Sequence, residues 1–514
     1  MNAPKSERAP SPVPVGADGT VRTEDRVADL VAAEDVLLFV NAAITATGQR
    51  EFRSGAAEQQ LSLDFLHTYV RVNYRRVYAA SLALDINHHN AALIVRRLLE
   101  TAGEASPGEL RAEGRLIAAR LALLPPPRVY RLFGELRRGK VNNRRTRAIM
   151  RDWLAARPDL GHDAVKYRAG LKTVARHIHL PCPEGGGPLA EVGAFLFRPG
   201  RLPRYEHGLL DAWRRAHYEQ GAVAELPFSV AEGFAAKHGM KREVFLKRAA
   251  PGMTRLERLR TQERRAAAGR HGAPAPKADL TVMPLTRLAL YVLSLGFEQR
   301  AELTGALRAA ARRAAGGHAG SWGRVHAVLD DSFSSSGSGQ KRRRPLAVAL
   351  ACHHLLEVLA APGAYRGLWT SGAGDALLVR PWGPTPLGMR ILDALEPGAD
   401  GAAPDRLVIV SDGWDNAPEG LAGEVLRVWR ARLDPARRTA VVHVNPVYDA
   451  EGFAVRGLAA GVATAGIRDA EDLPALVEIA RFAEGRTGTA ELYAYLDRRV
   501  ARFTGAGGEE GVAA

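Results

Sequence analysis

The stretch Trp322–Ser338, WGRVHAVLDDSFSSSGS, decides the fold of the last third of this chain. Its β-forming run Val325–Leu329 ends abruptly at Asp330, and a loop of small, flexible residues follows. The loop leads into the apolar-periodic segment Pro345–Ala360. This order predicts a strand, a tight loop and a helix.

The predicted loop carries the pattern Asp-x-Ser-x-Ser, formed by Asp330, Ser332 and Ser334. One carboxylate and two hydroxyls at alternate positions can turn toward a common point. All three are hard oxygen donors, which suit a small divalent cation, above all a partly hydrated Mg²⁺. The alternative is that SSSGSGQ is only a flexible linker.

Two later segments extend this pattern. The buried-strand run Leu407–Val410 leads into Asp412, and Thr385 precedes the helical pattern Leu387–Leu395. Loops at the carboxyl ends of parallel strands meet at one edge of a sheet, so Asp412 and Asp330 should lie side by side. The predicted metal site therefore has five residues, Asp330, Ser332, Ser334, Thr385 and Asp412. Otherwise, Asp412 is a turn residue.

This set resembles the metal-ion-dependent adhesion site of von Willebrand A domains, with all five positions occupied. The resemblance implies a bound Mg²⁺ or another divalent cation with one position left for the carboxylate of a partner. The hydroxyl-rich shell offers no obvious general base, so we expect a docking site and no enzyme. A metal-dependent hydrolase stays open as an alternative.

Length and composition limit the possible classes of protein. A chain of 514 residues is too long for one core, so two or more domains are expected. No apolar run approaches 18 residues, and the N-terminus is polar and Pro-rich, so neither a membrane span nor a signal peptide is predicted. The two cysteines, Cys182 and Cys352, lie in unrelated contexts, which favours a reducing compartment. We therefore expect a cytoplasmic protein.

Charge is divided unevenly along the chain. Residues 321–514 contain 21 Lys and Arg and 24 Asp and Glu, a balance of −3, so residues 1–320 carry +18. A polyanion, and nucleic acid in particular, is the simplest partner for such a region. The alternative is an arginine-rich composition that only keeps the chain in solution.

The pattern along the chain predicts three parts. Residues 1–24 are rich in Pro, Ser, Gly and charge, and a disordered tail is expected. Residues 25–315 read as many consecutive helices with short breaks, which suits a HEAT-like α-solenoid of helix pairs. In residues 320–505 strands alternate with helices, which predicts a doubly wound parallel sheet. The strand candidates are Val325–Leu329, Leu377–Val379, Leu407–Val410 and Ala440–Val444.

The densest basic run, residues 137–147, leads into an amphipathic helix. Arg144, Arg147 and Arg151 fall at i, i+3 and i+7 on one face, and Met150 and Trp153 fall on another. The arginine face is a candidate contact for phosphates. A stripe of solvated arginines is the alternative.

Three short motifs in this region resemble a known family. They are RAIMRDWL (147–154), AVKYR (164–168) and K-x-V-A-R-x-x-H (172–179). Together they look like the TROVE module of the Ro autoantigen family, whose other half is a C-terminal von Willebrand A domain. The combined order covers nearly the whole chain after residue 25.

The resemblance implies a fold and a function. In that family the helical repeats close into a ring, small structured Y RNAs bind its outer surface, and single-stranded ends of misfolded RNAs enter its hole. Such proteins are RNA chaperones or quality-control scaffolds, and the bacterial ones can tether a 3′ exonuclease. Lys166 and His179 match RNA-linked positions of the family, whereas its second basic position falls near Gly170, where Arg168 or Lys172 can substitute. The predicted RNA-binding residues are Arg144, Arg147, Lys166, Arg168, Lys172, Arg176 and His179.

Two functions from different classes remain in view. The first is an RNA-binding scaffold of the Ro type, in which Lys and Arg neutralise phosphates and His179 can stack on an unpaired base. The second is a protein-interaction module whose helical domain binds protein and not RNA. For His179 taken alone, a packed structural histidine is the common alternative.

Overall fold

The computed structural model describes residues 23–180, 188–198, 202–267, 279–280, 282–397, 402–480 and 489–505. The chain divides into two compact units, and the first of them is discontinuous. Residues 1–87 and 307–514 form this first unit, which we call the sheet unit, and residues 88–306 form the second, which we call the helical unit. The predicted disordered tail comprises residues 1–24, and residues 1–22 of it lie outside the described residues.

Helices account for the regular structure that precedes the first strand. The α-helices described here are α1 (Thr23–Thr45), α2 (Ala56–Asn73), α3 (Arg75–Ala80), α4 (His88–Glu100), α5 (Pro107–Leu123), α6 (Pro126–Arg138), α7 (Arg144–Ala155), α8 (Leu160–Lys166), α9 (Arg168–His177), α10 (Pro188–Phe197), α11 (Gly208–Arg215), α12 (Phe228–Lys237), α13 (Arg242–Ala249), α14 (Arg255–Ala267), α15 (Leu285–Ser294), α16 (Phe297–Arg300) and α17 (Thr304–Ala315).

In the rest of the chain, strands alternate with helices as far as the fourth strand, and three short strands then precede the last two helices. The elements are β1 (Val325–Leu329), α18 (Arg344–Leu359), β2 (Tyr365–Trp369), α19 (Leu387–Leu395), β3 (Arg406–Val410), α20 (Leu421–Arg432), β4 (Ala440–Asn445), β5 (Tyr448–Asp449), β6 (Ala454–Val455), β7 (Ala463–Gly466), α21 (Leu473–Ala480) and α22 (Thr489–Phe503).

In the helical unit, helices pack on neighbours that are close in sequence. Helix α4 contacts α6, α5 contacts α7, and α6 contacts α9. Polar side chains begin the helices of the basic region: Asn143 Oδ1 accepts from the Thr146 N–H at 2.8 Å, and Asp159 Oδ1 accepts from the His162 N–H at 2.9 Å. These caps satisfy backbone donors that a helix start leaves free. Local packing of this kind is typical of solenoids built from helix pairs.

The sheet unit contains a five-stranded sheet with all pairs parallel, in the order β2-β1-β3-β4-β7. The chain moves one way from β1 to β2 and the other way from β2 to β3, so right-handed crossovers place α18 and α19 on opposite faces. Val328, Leu407 and Ile409 pack in one core with residues of α19 and α20. The predicted fold class, a helical region followed by a doubly wound parallel sheet, is confirmed.

One predicted strand is wrong. Residues Leu377–Val379 are not a strand, because Ala376–Leu378 form a 3₁₀ turn. The strand that pairs with β1 is Tyr365–Trp369. It lies at the edge of the sheet, is mostly half-buried and contains Gly367, so the apolar run that marks a central strand is missing.

Helix α1 belongs to the sheet unit, which differs from the predicted helical domain of residues 25–315. It packs on β7 and α22. Asn41 Oδ1 accepts from the Gly466 N–H at 2.9 Å. A Cβ on Gly466 would lie only 2.9 Å from the Asn41 carbonyl oxygen, so glycine permits this close approach. Among the described residues, no helix combines the length and apolar character that a membrane crossing requires.

Asp472→Asn should stabilise the protein at pH 8. Burial raises the pKa of Asp472 to about 7, and its Oδ2 atom has no hydrogen-bond partner among the described residues. The charged groups that face it are Arg468, Asp469, Asp85, Glu471 and the thiol of Cys352. A carboxyl whose pKa is raised by folding contributes stability below its unfolded pKa, and that contribution is lost as the pH rises toward 7.

The asparagine removes this ionisation, so the gain in melting temperature should be larger at pH 8 than at pH 5. Thermal unfolding of both proteins at the two pH values measures it, with Glu451→Gln, at an exposed position of the same unit, as the control for loss of one negative charge. An equal change in melting temperature at pH 5 and pH 8 would show that ionisation of Asp472 does not destabilise the folded protein.

Candidate metal centre and nucleic-acid interface

Asp330 and Asp412 lie next to each other at the carboxyl ends of neighbouring strands. Leu329 of β1 pairs with Val410 of β3, and the Asp330 N–H donates to the Val410 carbonyl oxygen at 2.9 Å. This edge of the sheet is also where the strand order reverses, the place at which open parallel sheets bind ligands.

The two loop serines join the carboxylates around a small cavity. The Ser332 N–H donates to Asp330 Oδ1 at 2.8 Å, and the Ser332 and Ser334 hydroxyl oxygens are 3.2 Å apart. The cavity is lined in part by Asp330, Ser334, Ser335 and Asp412, and its volume is about 10 Å³. That is comparable with the space of one water-sized sphere. The structure therefore brings four of the five predicted ligands together: Asp330, Ser334 and Asp412 line the cavity, and Ser332 contacts Ser334 beside it.

Thr385 is buried in the loop beside them, but it is not among the residues that line the cavity. Its N–H donates to Asn416 Oδ1 at 2.8 Å, and its carbonyl oxygen accepts from the Asn416 N–H at 3.2 Å. The Phe333 N–H donates to the Gly383 carbonyl oxygen at 3.0 Å, which holds this loop against the serine loop. Thr385 thus approaches from the predicted third loop.

The electrostatics of the pair favour a bound cation. Burial raises the pKa of Asp330, and the neighbouring charge of Asp412 raises it further. Burial also raises the pKa of Asp412, although hydrogen bonds from Ser334 and the Trp414 N–H act in the opposite direction. Two buried carboxylates repel each other when both are ionised, and a divalent ion between them relieves that repulsion.

The residues present fit a hard divalent ion. Two carboxylates with hydroxyl oxygens form the donor set that Mg²⁺ accepts, with water completing its coordination. Among the described residues, no group of three or more His, Cys, Asp or Glu side chains is placed to hold a metal, and this centre has two such residues with hydroxyls. Mg²⁺ at Asp330, Ser332, Ser334, Thr385 and Asp412 stays a prediction.

Asp331 is a supporting residue that the sequence did not distinguish from Asp330. Its Oδ1 accepts from the Thr370 hydroxyl and from the Ser371 N–H, both at 2.8 Å, and its Oδ2 accepts from the Ser371 hydroxyl at 2.6 Å. These bonds tie the loop after β1 to the loop after β2. Asp331 therefore orients the site while its own carboxylate is already satisfied.

Arginine and tryptophan side chains at the rim of the centre were also missed. The guanidinium carbons of Arg53 and Arg456 lie 3.9 Å and 3.7 Å from the centre of the Trp414 ring. The three residues come from segments far apart in the sequence. The only local signal is the position of Trp414, two residues after Asp412.

In the helical unit, the arginine face of α7 and the end of α9 form one basic surface. Arg144 and His179 are exposed, and Arg151 donates to the Ile178 carbonyl oxygen at 2.9 Å. Burial lowers the pKa of His177, and the nearby charges of Arg137, Arg147 and His179 lower it further. His179 lies two residues beyond the end of α9, where it has a positive φ of 51° and an exposed side chain.

The other predicted RNA-binding residues lie in different surroundings. Lys172 and Arg176 lie over Phe197, at 5.7 Å and 5.6 Å from the ring centre. Arg168 donates to the Phe195 carbonyl oxygen at 3.0 Å, so it already has a packing role. The ammonium of Lys166 is 3.9 Å from a carboxylate oxygen of Glu257. The structure therefore does not gather all seven residues into one cluster.

Comparison with known proteins identifies a similar fold but no similar sequence. No protein-family model matches the sequence, and a search of curated proteins finds no similar sequence. The chain is similar in structure to the Ro (RSR) protein of Deinococcus radiodurans, with a TM-score of 0.52 and 15% sequence identity. The match covers 88% of this chain and 100% of the other. The resemblance to a Ro protein is thereby confirmed at the level of the fold.

Proposed function

We propose that the protein is a cytoplasmic RNA-binding scaffold of the Ro type and not an enzyme. Its helical unit binds small structured noncoding RNA resembling Y RNA, together with the single-stranded ends of misfolded RNA. The sheet unit holds Mg²⁺ and docks a protein partner, for which an exonuclease is one candidate. The shared fold supports this role, and the main observation in its favour is the distribution of charge between the two units.

The charge is concentrated in the helical unit. Residues 88–306 contain 38 Lys and Arg and 21 Asp and Glu, a balance of +17. The sheet unit contains the remaining 33 Lys and Arg and 35 Asp and Glu, a balance of −2. Phosphate contacts supply most of the sequence-independent affinity for nucleic acid. RNA affinity therefore belongs to the helical unit.

At the metal centre, Asp330 and Asp412 bind the cation and the loop hydroxyls complete the donor set. When bound, the ion supplies a Lewis-acidic position for an incoming carboxylate. Asp331 and Asn416 hold the two flanking loops in place through the hydrogen bonds described above. The additional metal ligand that this arrangement favours is an acidic side chain of a protein partner.

RNA affinity should be steeply salt-dependent and independent of the metal. The full chain is titrated into a labelled RNA whose own fold needs no magnesium, at two salt concentrations, with Mg²⁺ and with EDTA. We expect affinities with and without EDTA to agree within about twofold, because the phosphates contact the helical unit.

Two results would contradict the proposal. A loss of tenfold or more on chelation, about 1.4 kcal/mol, would place the metal centre in the RNA contact. Absence of RNA binding at both salt concentrations would favour the protein-interaction module instead.

A further inference from the structure

We infer that the rim of the metal centre carries a second anion-binding site, formed by Arg53 and Arg456 around Trp414, which takes an acidic side chain of a docked protein segment. We call these three residues the arginine clamp. The inference rests on the proposed docking role, and it adds a contact that does not depend on the metal.

The geometry of the clamp is that of a ring between two cations. Both guanidinium carbons lie within 4 Å of the Trp414 ring centre. Two planar groups this close to one centre would overlap on a single face, so they occupy opposite faces. Stacking on an aromatic ring leaves the N–H donors at the edge of each guanidinium, where they can bind a carboxylate with two hydrogen bonds.

Arg456 and Trp414 are positioned by the loops of the metal centre itself. The Trp414 N–H donates to Asp412 Oδ1 at 3.1 Å, and Asn445 donates to the Arg456 carbonyl oxygen at 3.0 Å. Gly413 has a φ of 78°, and a Cβ at this position would lie 2.8 Å from that carbonyl oxygen. Only glycine allows the strand segment with Arg456 to come this close to the Asp412 loop.

Arg53 is held by contacts between its own segment and the serine loop. The Glu51 N–H donates to the Ser54 carbonyl oxygen at 3.0 Å, which closes a turn around Arg53. The Ser338 hydroxyl donates to the Arg50 carbonyl oxygen at 2.6 Å, and buried Glu51 pairs with Lys341. The turn that carries Arg53 is therefore fixed to the same loop that carries Ser332 and Ser334.

Both guanidinium groups are available to a ligand. Arg53 and Arg456 are exposed, and within the described part of the chain neither side chain forms an ion pair or a hydrogen bond. Asp412 attracts both guanidinium groups electrostatically, and a bound divalent ion would offset that charge. The exposed N–H donors of the clamp can therefore bind an anion without the metal, and more strongly with it.

A protein segment fits this rim better than RNA does. Guanidinium groups cover both faces of Trp414, so its ring cannot stack on a base. The exposed ring of Phe333, 62% accessible, lies beside Phe52 with ring centres 5.8 Å apart and offers an apolar contact next to Arg53. The sheet unit as a whole has a negative balance, which does not attract a polyphosphate.

The test uses a photoreactive acidic peptide and the full chain. The probe is acetyl-Glu-Glu-Bpa-Glu-Glu-amide, in which Bpa is p-benzoylphenylalanine, and its matched neutral probe has glutamine at the four positions. Crosslinked sites are mapped by mass spectrometry in Mg²⁺ and in EDTA. Crosslinks to the basic helical unit provide an internal reference, since the clamp variants do not alter that unit.

We expect crosslinks within residues 52–54, 414 and 456 that the neutral probe lacks and that persist in EDTA. Arg53→Gln and Arg456→Gln should each lower their yield, relative to the reference, at least about fivefold. Arg427→Gln removes one charge from the same unit at a side chain 68% exposed, and it should leave the yield unchanged.

Each other outcome has a definite meaning. Absence of these crosslinks in the parent, or equal yields in parent and clamp variants, overturns the clamp. An equal loss of crosslink yield in Arg427→Gln would mean that the peptide is held by general charge attraction and not by the clamp. Crosslinking of a 4-thiouridine oligonucleotide at the same residues with equal yield would assign the rim to RNA. If clamp crosslinks persist while Asp412→Asn and EDTA leave all peptide binding unchanged, the clamp stands and docking at the metal fails.

Discussion

Asp412→Asn should abolish the stabilisation of the protein by Mg²⁺. The substitution keeps the size of the side chain and its acceptor for the Trp414 N–H, but it removes one of the two carboxylates that face the cavity. For the parent, a ligand present at 100 times its dissociation constant raises the free energy of unfolding by about 2.7 kcal/mol. The variant should show no such gain in thermal unfolding.

The same variant should behave in the opposite way when the ion is absent. In EDTA the parent keeps two buried carboxylates whose charges repel each other, and the asparagine relieves that repulsion. We therefore expect Asp412→Asn to melt above the parent in EDTA and below it in excess Mg²⁺. Titration calorimetry with Mn²⁺ gives the binding directly, and Asp393→Asn serves as the control. An unchanged Mg²⁺ effect in Asp412→Asn would place the ion elsewhere.

The combined substitution Arg144→Gln, Arg147→Gln and Arg151→Gln should weaken RNA binding on the order of 100-fold at physiological salt. These residues present the arginine face of α7 next to His179. Each phosphate contact that is lost also removes an ion-release contribution, so the slope of log affinity against log salt should fall by roughly 2–3. Fluorescence anisotropy across a salt series measures both quantities.

The matched control removes three exposed arginines of the sheet unit, Arg427, Arg432 and Arg438, and so makes the same change in net charge. It should keep the parent slope. Because Arg151 also donates to the Ile178 carbonyl oxygen, a second variant with only the exposed Arg144 and Arg176 replaced guards against a folding defect. Equal weakening by the control set would mean that only total charge matters and that α7 is not the contact surface.

The metal loops were predictable because their chemistry is local. Strand β1 occupies its predicted residues, and Asp330, Ser332 and Ser334 follow it within five positions. The run Leu407–Val410 likewise predicts β3 and, after it, the loop with Asp412. Once the sheet is parallel, strand geometry alone brings the two loops to the same edge.

The features that sequence did not predict depend on contacts between distant segments. Edge strand β2 lacks the apolar run of a central strand. Helix α1 has an apolar face that suits a solenoid as well as it suits the sheet, and only Asn41 and Gly466 reveal its true neighbour. The clamp residues Arg53 and Arg456 are separated by 403 positions, so no motif can contain them.

One helix start also differs from expectation for a local reason. The triplet Pro125–Pro127 by itself predicts that the next helix starts only at Arg128 or after it, but α6 begins at Pro126. Proline lacks a backbone N–H, and N–H groups in the first turn of a helix have no acceptor within the helix, so proline loses no hydrogen bond there. Proline therefore ends a preceding helix without preventing the next one from starting within the triplet.

The discontinuous sheet unit sets the order in which the molecule can mature on the ribosome. Gly466 follows Thr45 by 421 residues, so α1 leaves the ribosome long before the strand on which it packs. At roughly 5–20 residues per second, the delay is about 20–80 s. Residues 88–306 can complete their own packing in that interval, while the buried residues Asn41 and Thr45 of α1 still lack their neighbour Gly466 in β7. Nascent chains halted before β7 should therefore be the ones that recruit chaperones.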